Sequence, residues 1–416
     1  MVEKLNITDK THDEFVMSHP NGDLLQLSSW AGTKTLTGWY SRRIAVGRDG
    51  QVEGVGLLLF KKVPKTPFTM CYVSRGFVCD YRDREVLEVL LAEAKRIAKD
   101  EKSYTIKIDP DIQVEGNEDI IESLETLGFK HHGLTDGMSK KVIQPRTTMV
   151  TDIEVDDKTL LQSFERNNRT KVRNALKAGT TVVKAKREDL PDFVKLMKET
   201  GDRDGFLTRD ITYFESLYDH LNPAGHMELF LVKLLPQEAI LSTEAAIEKV
   251  HKETSKANKI KDDQKRNNQL ENLNNRLEKL NSQLSDMKEI RSTHPDGVLL
   301  SGALLALAGR KAYYLYGASS NEYREYLPNH HMQWHMMQYA REHGAKSYDF
   351  GGVSVSPDKD DEHFGLWQFK KVWGTEVSDK IGEFDYVINK PLYTLSESMV
   401  PLFQKAKMQI GKILRR

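Results

Sequence analysis

Between Pro236 and Pro295 the chain contains neither proline nor glycine. These residues interrupt helices most strongly, proline by losing a donor and clashing with the preceding turn, glycine by its conformational freedom. A polar stretch this long without either is committed to helix. Its second half carries the apolar stripe Leu270, Leu273, Leu277, Leu280, Leu284 and Met287 in alternating steps of three and four, the spacing of a coiled-coil seam. The first half has a sparser set, Ile247, Val250, Ala257 and Ile260, and the polar segment Asp262–Gln269 allows the chain to reverse. Apolar strands flank the segment on both sides, so its ends should return close together. The spacing predicts an antiparallel coiled-coil hairpin over 238–293, inserted in a domain. One long helix pairing with another subunit is the alternative.

The 416 residues exceed what one core organises comfortably, so two domains are expected. Residues 1–145 read as one α/β domain. Arg42–Val46 and Val52–Phe60 read as a β-hairpin around the turn Gly47–Gly50. Met70–Val73 and Tyr104–Ile108 are further strands, and Arg82–Lys99 between them keeps Val86, Val89, Leu90, Ala94 and Ala98 near helical period. Residues 146–395 read as the second domain, with strands at Met149–Ile153, Thr181–Lys184, Met227–Leu234, Val298–Ala308, Lys311–Tyr316, Tyr348–Phe350 and Gly382–Ile388. Asn329–Glu342 reads as a helix. Residues 396–416 carry Lys405, Lys407, Lys412, Arg415 and Arg416. They form a basic amphipathic tail, either packed back on the protein as a helix or leaning on an anionic surface.

Lys plus Arg and Asp plus Glu each total 61, a formal net charge of zero. That argues against permanent residence on nucleic acid, but not against an RNA gripped by a local basic patch. The segment 160–180 is such a patch: Arg166, Arg169, Lys171, Arg173 and Lys177 are opposed only by Glu165. It is either a solvated face or a phosphate-contact face. Cys71 and Cys79 offer neither a disulfide framework nor paired metal-ligand spacing, and the polar N-terminus is not that of a signal peptide. A reducing, cytoplasmic setting fits. His330, His331 and His335 share a helix but lack the H-E-x-x-H pattern and read as packing or surface residues. There is no phosphate-binding P-loop and no nucleophile elbow.

What remains for chemistry are charged strand tips: Arg75 after Val73, Asp109 and Asp111 after Ile108, Arg324 in the small-residue loop after Tyr316, and Lys370-Lys371. A carboxylate at such a tip can take a proton from an amine nucleophile, and a lysine can stabilise an oxyanion. Asp109 can equally be a turn residue before Pro110, and Lys370 a surface lysine.

Several separated stretches carry a family resemblance: 20–43 PNGDLLQLSSWAGTKTLTGWYSRR, 72–80 YVSRGFVCD, 105–110 TIKIDP, 164–177 FERNNRTKVRNALK, 202–210 DRDGFLTRD, 316–334 YGASSNEYREYLPNHHMQW and 365–374 GLWQFKKVWG. With these the chain resembles the Fem family of aminoacyltransferases, over almost its whole length. The resemblance implies an α+β fold of two acetyltransferase-like (GNAT-like) domains, the second bearing the coiled coil. It implies transfer of glycine from glycyl-tRNA to the stem-peptide lysine amine of lipid II, the first step of the interpeptide bridge, at the cytoplasmic face of the membrane and without metal or soluble cofactor. Serine or alanine donors, or a bridge-modifying immunity role, are the alternatives; a plain acetyl-CoA-dependent enzyme lacks its pyrophosphate loop here. Peripheral membrane contact, association with other Fem proteins and oligomeric state are left open. By position, Lys34 and Arg324 match phosphate-binding residues, with Trp30, Tyr323 and Arg75 in the same precursor set. Phe369 and Lys370 match the catalytic pair, Asp109 a candidate base, and Arg166, Arg169, Arg173 and Lys177 the RNA face.

Overall fold

The computed structural model describes residues 1–135, 138–139, 142–354 and 364–398. The expected basic tail therefore lies almost entirely outside the described residues. Among the described residues fifteen strands form two sheets. In the N-terminal part these are β1 (Glu3–Lys4), β2 (Trp39–Arg48), β3 (Gln51–Lys62), β4 (Thr69–Val73), β5 (Val78–Cys79), β6 (Ser103–Ile108) and β7 (Phe129–His131). The next seven are β8 (Thr147–Asp152), β9 (Thr180–Ala185), β10 (Met227–Leu234), β11 (Val298–Ala308), β12 (Lys311–Ser319), β13 (Ser347–Gly352) and β14 (Glu376–Asp379). They make the second sheet in the order β14-β8-β13-β12-β11-β10-β9.

Each sheet contains a parallel pair among antiparallel neighbours, β4 with β6 and β12 with β13. A parallel step needs a crossover, and each crossover here is a helix. Arg84–Asp100 is started by Asp83, whose side chain accepts from the Val86 N–H, and buries Val86, Leu87, Leu90, Leu91, Ala94 and Ala98. Pro328–Glu342 has its proline in the first turn, where no donor is lost, and buries Met332, Trp334, Met336 and Met337. The two halves thus repeat one device, a strand–helix–strand unit whose parallel strand ends lie side by side.

The strand expected near Gly382–Ile388 forms, as β15 (Phe384–Val387), but not in the second sheet. It enters the first, between β6 and β7, giving the order β1-β2-β3-β4-β6-β15-β7 with β5 on β3. The expected boundary at 145, which gave residues up to 395 to the second domain, therefore does not separate the two sheets. Side chains explain the return. Phe384 is fully buried in the first core. The Lys107 ammonium sits between the carboxylates of Glu383 (2.6 Å) and Asp385 (2.7 Å). Asp385 also accepts from Tyr393 and pairs with His132. Without β15, Lys107 would be a buried cation lacking both partners.

The Pro/Gly-free segment folds into helices Pro236–Ala257 and Asp263–Thr293. Val250, Ala257, Leu273, Leu277 and Leu280 pack in its outer half, and Ile240, Met287 and Ile290 root it against Leu234, Leu300 and Tyr326. Arg276 pairs with Glu253 across the seam at 3.1 Å. The basic segment 160–180 is divided at the buried Phe164, between the helices Asp157–Ser163 and Arg166–Ala175.

Charge also joins the two halves. Asp111, just past β6, is half-buried and pairs with Lys311 of β12 at 2.5 Å and with the buried Lys380 at 3.3 Å. Despite burial, these cations and Arg75 hold its carboxyl far below the usual range. Tyr313 donates to the buried Asp23 from across the junction at 2.8 Å.

A fragment ending at residue 145 should fail to fold, because it lacks β15 and leaves Lys107 unpaired. Urea unfolding followed by tryptophan fluorescence should show no cooperative transition for 1–145, against a sharp one for the whole chain. A cooperative transition in the fragment would show that β15 is dispensable.

Candidate active site

The ends of β4 and β6 are neighbours, with Val73 opposite Ile108. Parallel strand ends of this kind are where open α/β sheets collect ligands. Beyond them, Arg75 turns the chain at φ +60°, followed by Gly76 at φ +74°. A Cβ on Gly76 would lie 2.3 Å from the Tyr81 hydroxyl oxygen, so only glycine fits. The turn presents the Arg75 N–H to Asp109 Oδ1 at 2.7 Å, and the Tyr72 hydroxyl donates to the same oxygen at 3.0 Å. Oδ2 is buried and has no hydrogen-bond donor among the described residues, the Arg75 guanidinium standing 3.6 Å away. Burial pushes the Asp109 carboxyl up to about 7, with Arg75 acting against that rise. A carboxylate with one uncommitted oxygen that titrates near neutrality is suited to taking a proton from an amine.

Lys370 lies on the helix Phe364–Lys371. Successive side chains on a helix point about 100° apart, so the two lysines face different ways. Lys370 is buried, whereas Lys371 is exposed over the Trp367 ring at 4.7 Å. Phe369 packs near Tyr314 and Phe350 and orients this turn. Lys370 Nζ donates to the Gly352 carbonyl at 2.7 Å. Burial pulls its ammonium down to about 8, with Asp349 opposing.

These two groups border one seam between the halves. Arg75 Nη1 approaches the Pro145 carbonyl at 3.5 Å. The Pro145 ring lies 2.5 Å from where a Cβ on Gly352 would be, so that glycine is required for the contact. Gly352 in turn holds Lys370. A cleft of about 500 Å³ opens beside the seam, lined from both halves by Asp23, Arg75, Asp111, Tyr313, Asp349 and Lys380 among others.

The expected precursor-binding residues divide into two places. Trp30 and Lys34 lie on the short helix Ser28–Lys34, with the ammonium 3.8 Å above the indole. This helix presses on Ile211–Leu221 so closely that a Cβ on Gly32 would meet the His220 ring at 2.2 Å. The approach brings in a cation that the sequence reading missed. Arg209 lies over Tyr213 at 5.0 Å. Burial and then Arg209 lower Lys34 to about 8. Among the described residues no carboxylate is within ion-pair distance of either cation. The stretch 202–210 was noted in the sequence, but nothing local distinguishes Arg209 from Arg203, which is bonded to Ser319 and Asn321. Arg324 and Tyr323 belong elsewhere. Arg324 is exposed on a turn, and Tyr323 lines a hollow of about 280 Å³ at the hairpin root with Asp286, Glu289 and Glu325. An acidic wall disfavours a diphosphate.

On the helix Arg166–Ala175, Asn168, Val172 and Ala175 face inward. Arg166, Lys171, Arg173 and Lys177 are exposed and Arg169 is half-buried. None of the five is ion-paired among the described residues. The helix abuts the seam, since the Glu165 N–H donates to the Val372 carbonyl at 3.0 Å and Phe164 packs on Trp373. Among the described residues, His132, Glu383 and Asp385 have metal-ligand spacing. The Lys107 ammonium already bridges the two carboxylates there.

Two repeated α+β units with a helical hairpin inserted in the second define a tandem GNAT-like acyltransferase architecture. The chain belongs to the FemAB family, whose model matches residues 7–400. It is 59% identical over 414 residues to the lipid II:glycine glycyltransferase of Staphylococcus epidermidis, with each chain covered completely. Identity is 58% over 420 residues to the enzyme of that name from Staphylococcus aureus, also at complete coverage. The crystal structure titled FemX superposes with a TM-score of 0.88 at 58% identity, covering 95% of this chain and all of the other.

Carbon-13 NMR of the labelled aspartates should find Asp109 titrating near 7. Arg75 favours the ionised form, so Arg75→Met should move that titration to higher pH. Movement to lower pH, or none, would contradict the placement of the guanidinium.

Proposed function

We propose that this protein transfers glycine from glycyl-tRNA to the side-chain amine of the stem-peptide lysine in lipid II, adding the first residue of the interpeptide bridge. Full-length identity of 58–59% to glycyltransferases of that name carries the reading. The seam supplies groups matched to the reaction. The acceptor amine loses its proton to Asp109, directly or through a water, and attacks the ester carbonyl. The Lys370 ammonium meets the oxyanion, and the tRNA ribose hydroxyl leaves as the amide forms. The ester is already activated, so the protein has to position, deprotonate and stabilise.

Both substrates carry phosphate, and two separate groups of cations suit them. The paired cations Lys34 and Arg209 suit the diphosphate of the precursor, and Trp30 and Tyr213 fix their side chains from below. Arg166, Arg169, Arg173 and Lys177 suit the tRNA backbone. Their helix touches the segment following Lys370, so an RNA lying there has its charged end within reach of the seam. A lipid-linked acceptor also sets the place of work at the inner face of the membrane.

The direct test is incubation with lipid II and separately charged tRNAs, followed by mass analysis. Addition of one glycine is expected. No addition, or addition only to an acceptor already carrying glycine, would refute the reading, and serine or alanine addition would change the donor. In single turnover, Lys370→Met should slow transfer by about 100- to 1,000-fold, while Lys371→Met should change it little. The wild-type rate should rise with pH as Asp109 ionises near 7 and fall as Lys370 loses its proton near 8. Asp109→Asn should remove the acid limb.

Titration with precursor alone separates the two candidate phosphate sites. Lys34→Met and Arg209→Met should each weaken binding by roughly 1.5–3 kcal/mol, the scale of a lost charge-assisted bond. Arg324→Ala should have little effect. The reverse ranking would return the phosphates to the 323–326 turn.

A further inference from the structure

Exposed apolar side chains flank the paired cations. Leu36 follows Lys34 by two residues and is 52% exposed, while Leu207 precedes Arg209 by two and is 72% exposed, next to Phe206 at 44%. Leu36 is at the centre of the short turn Thr35–Thr37, and Phe206 and Leu207 occupy the connection between helices Leu190–Asp204 and Ile211–Leu221. These two segments come from opposite halves of the protein and meet because Gly32 lets the helices Ser28–Lys34 and Ile211–Leu221 close on each other. The loop after β3 joins the same edge, since the Lys61 ammonium bonds to the Thr37 carbonyl. Lys62 at the end of β3 and Lys65 in the loop after it are both exposed. Among the described residues none of Lys34, Lys62, Lys65 and Arg209 is paired with a carboxylate. The acids close in sequence to Arg209 are engaged elsewhere, Asp204 with Arg203 at 2.8 Å and Asp210 with the Tyr213 N–H at 3.0 Å.

A single exposed leucine is ordinary. Three large apolar side chains on two converging segments, beside four unpaired cations, form the composition of a surface that sits at a lipid headgroup boundary, with apolar tips entering the acyl region and cations facing anionic headgroups. We infer that this rim, Leu36, Phe206 and Leu207 among Lys34, Lys62, Lys65 and Arg209, rests on an anionic lipid bilayer and sets the height at which the precursor is taken. The inference deepens the proposed function. A diphosphate anchored by a prenyl tail lies at headgroup level, so the cations that receive it must lie there too. A rim in the membrane plane brings Lys34 and Arg209 to the diphosphate without lifting the tail from the bilayer.

Vesicle flotation tests the surface with the whole protein. The probes are vesicles of phosphatidylglycerol and phosphatidylcholine, against phosphatidylcholine alone. The wild type should float with the anionic vesicles and much less with the neutral ones. The double variant Leu36→Asp, Leu207→Asp should partition about tenfold or more weakly, since it loses two apolar side chains from the interface and adds repulsion. Leu241→Asp is the control, because Leu241 is 57% exposed on the hairpin helix Pro236–Ala257, which contributes no residue to the rim, and should float as the wild type does. The urea-unfolding midpoint should be equal in wild type and double variant, which shows that the variant is folded. A wild type that does not float, a double variant that floats unchanged, or a control that loses as much would each overturn the inference. Failure of the wild type to transfer glycine at all would refute the acyl-transfer reading and leave the flotation result to decide the surface.

Discussion

The contact of the half-buried Asp111 and Lys311 with the buried Lys380 is the interaction on which the rest depends. It joins the tip of a strand in the first sheet to a strand of the second and to the segment leading into β15. Removing the half-buried Asp111 carboxylate would strand the buried Lys380 ammonium in a low dielectric, so the contact resists opening. The two halves are therefore held in register at the ends of their strands, where the seam lies. The cost of such burial explains why Tyr313 and Arg75 are drawn into the same neighbourhood as further partners for Asp23 and Asp109.

The same logic recurs at Lys107, which is neutralised by Glu383 and Asp385 from the far end of the described chain. Reading the molecule as two consecutive domains misses this. The first sheet is finished by residues that come after the second, so the two units fold as a pair. One consequence is functional: the segment that delivers β15 also delivers Lys380 to the seam, coupling completion of the first core to assembly of the site.

Within the seam, two groups are moved toward neutrality by the same cause acting on opposite charge types. Burial disfavours the carboxylate of Asp109 and the ammonium of Lys370 alike, raising one to about 7 and lowering the other to about 8. Neither shift needs a metal or an unusual residue. It needs only that the surrounding backbone approach closely, which Gly76 and Gly352 permit by lacking a Cβ.

Much of this was legible in the chain itself. The absence of proline and glycine over 237–294 with a three–four leucine stripe dictates the hairpin, and the period of 84–100 dictates the crossover helix, because local periodicity alone selects those elements. The strand tips carrying Arg75 and Asp109 were legible for the same reason. Other features depend on contacts between residues far apart in sequence, which no local pattern encodes. Whether β15 joined the second sheet or the first was decided by where Lys107 needed carboxylates. Whether Lys34 paired with Arg324 or Arg209 was decided by the close approach at Gly32. Lys370 turned inward because its helix packs through Phe369, not because a strand alternates. The sequence by itself determined which segments are helix, strand and turn; only the tertiary structure decided which charges meet, because buried charges find their partners across space.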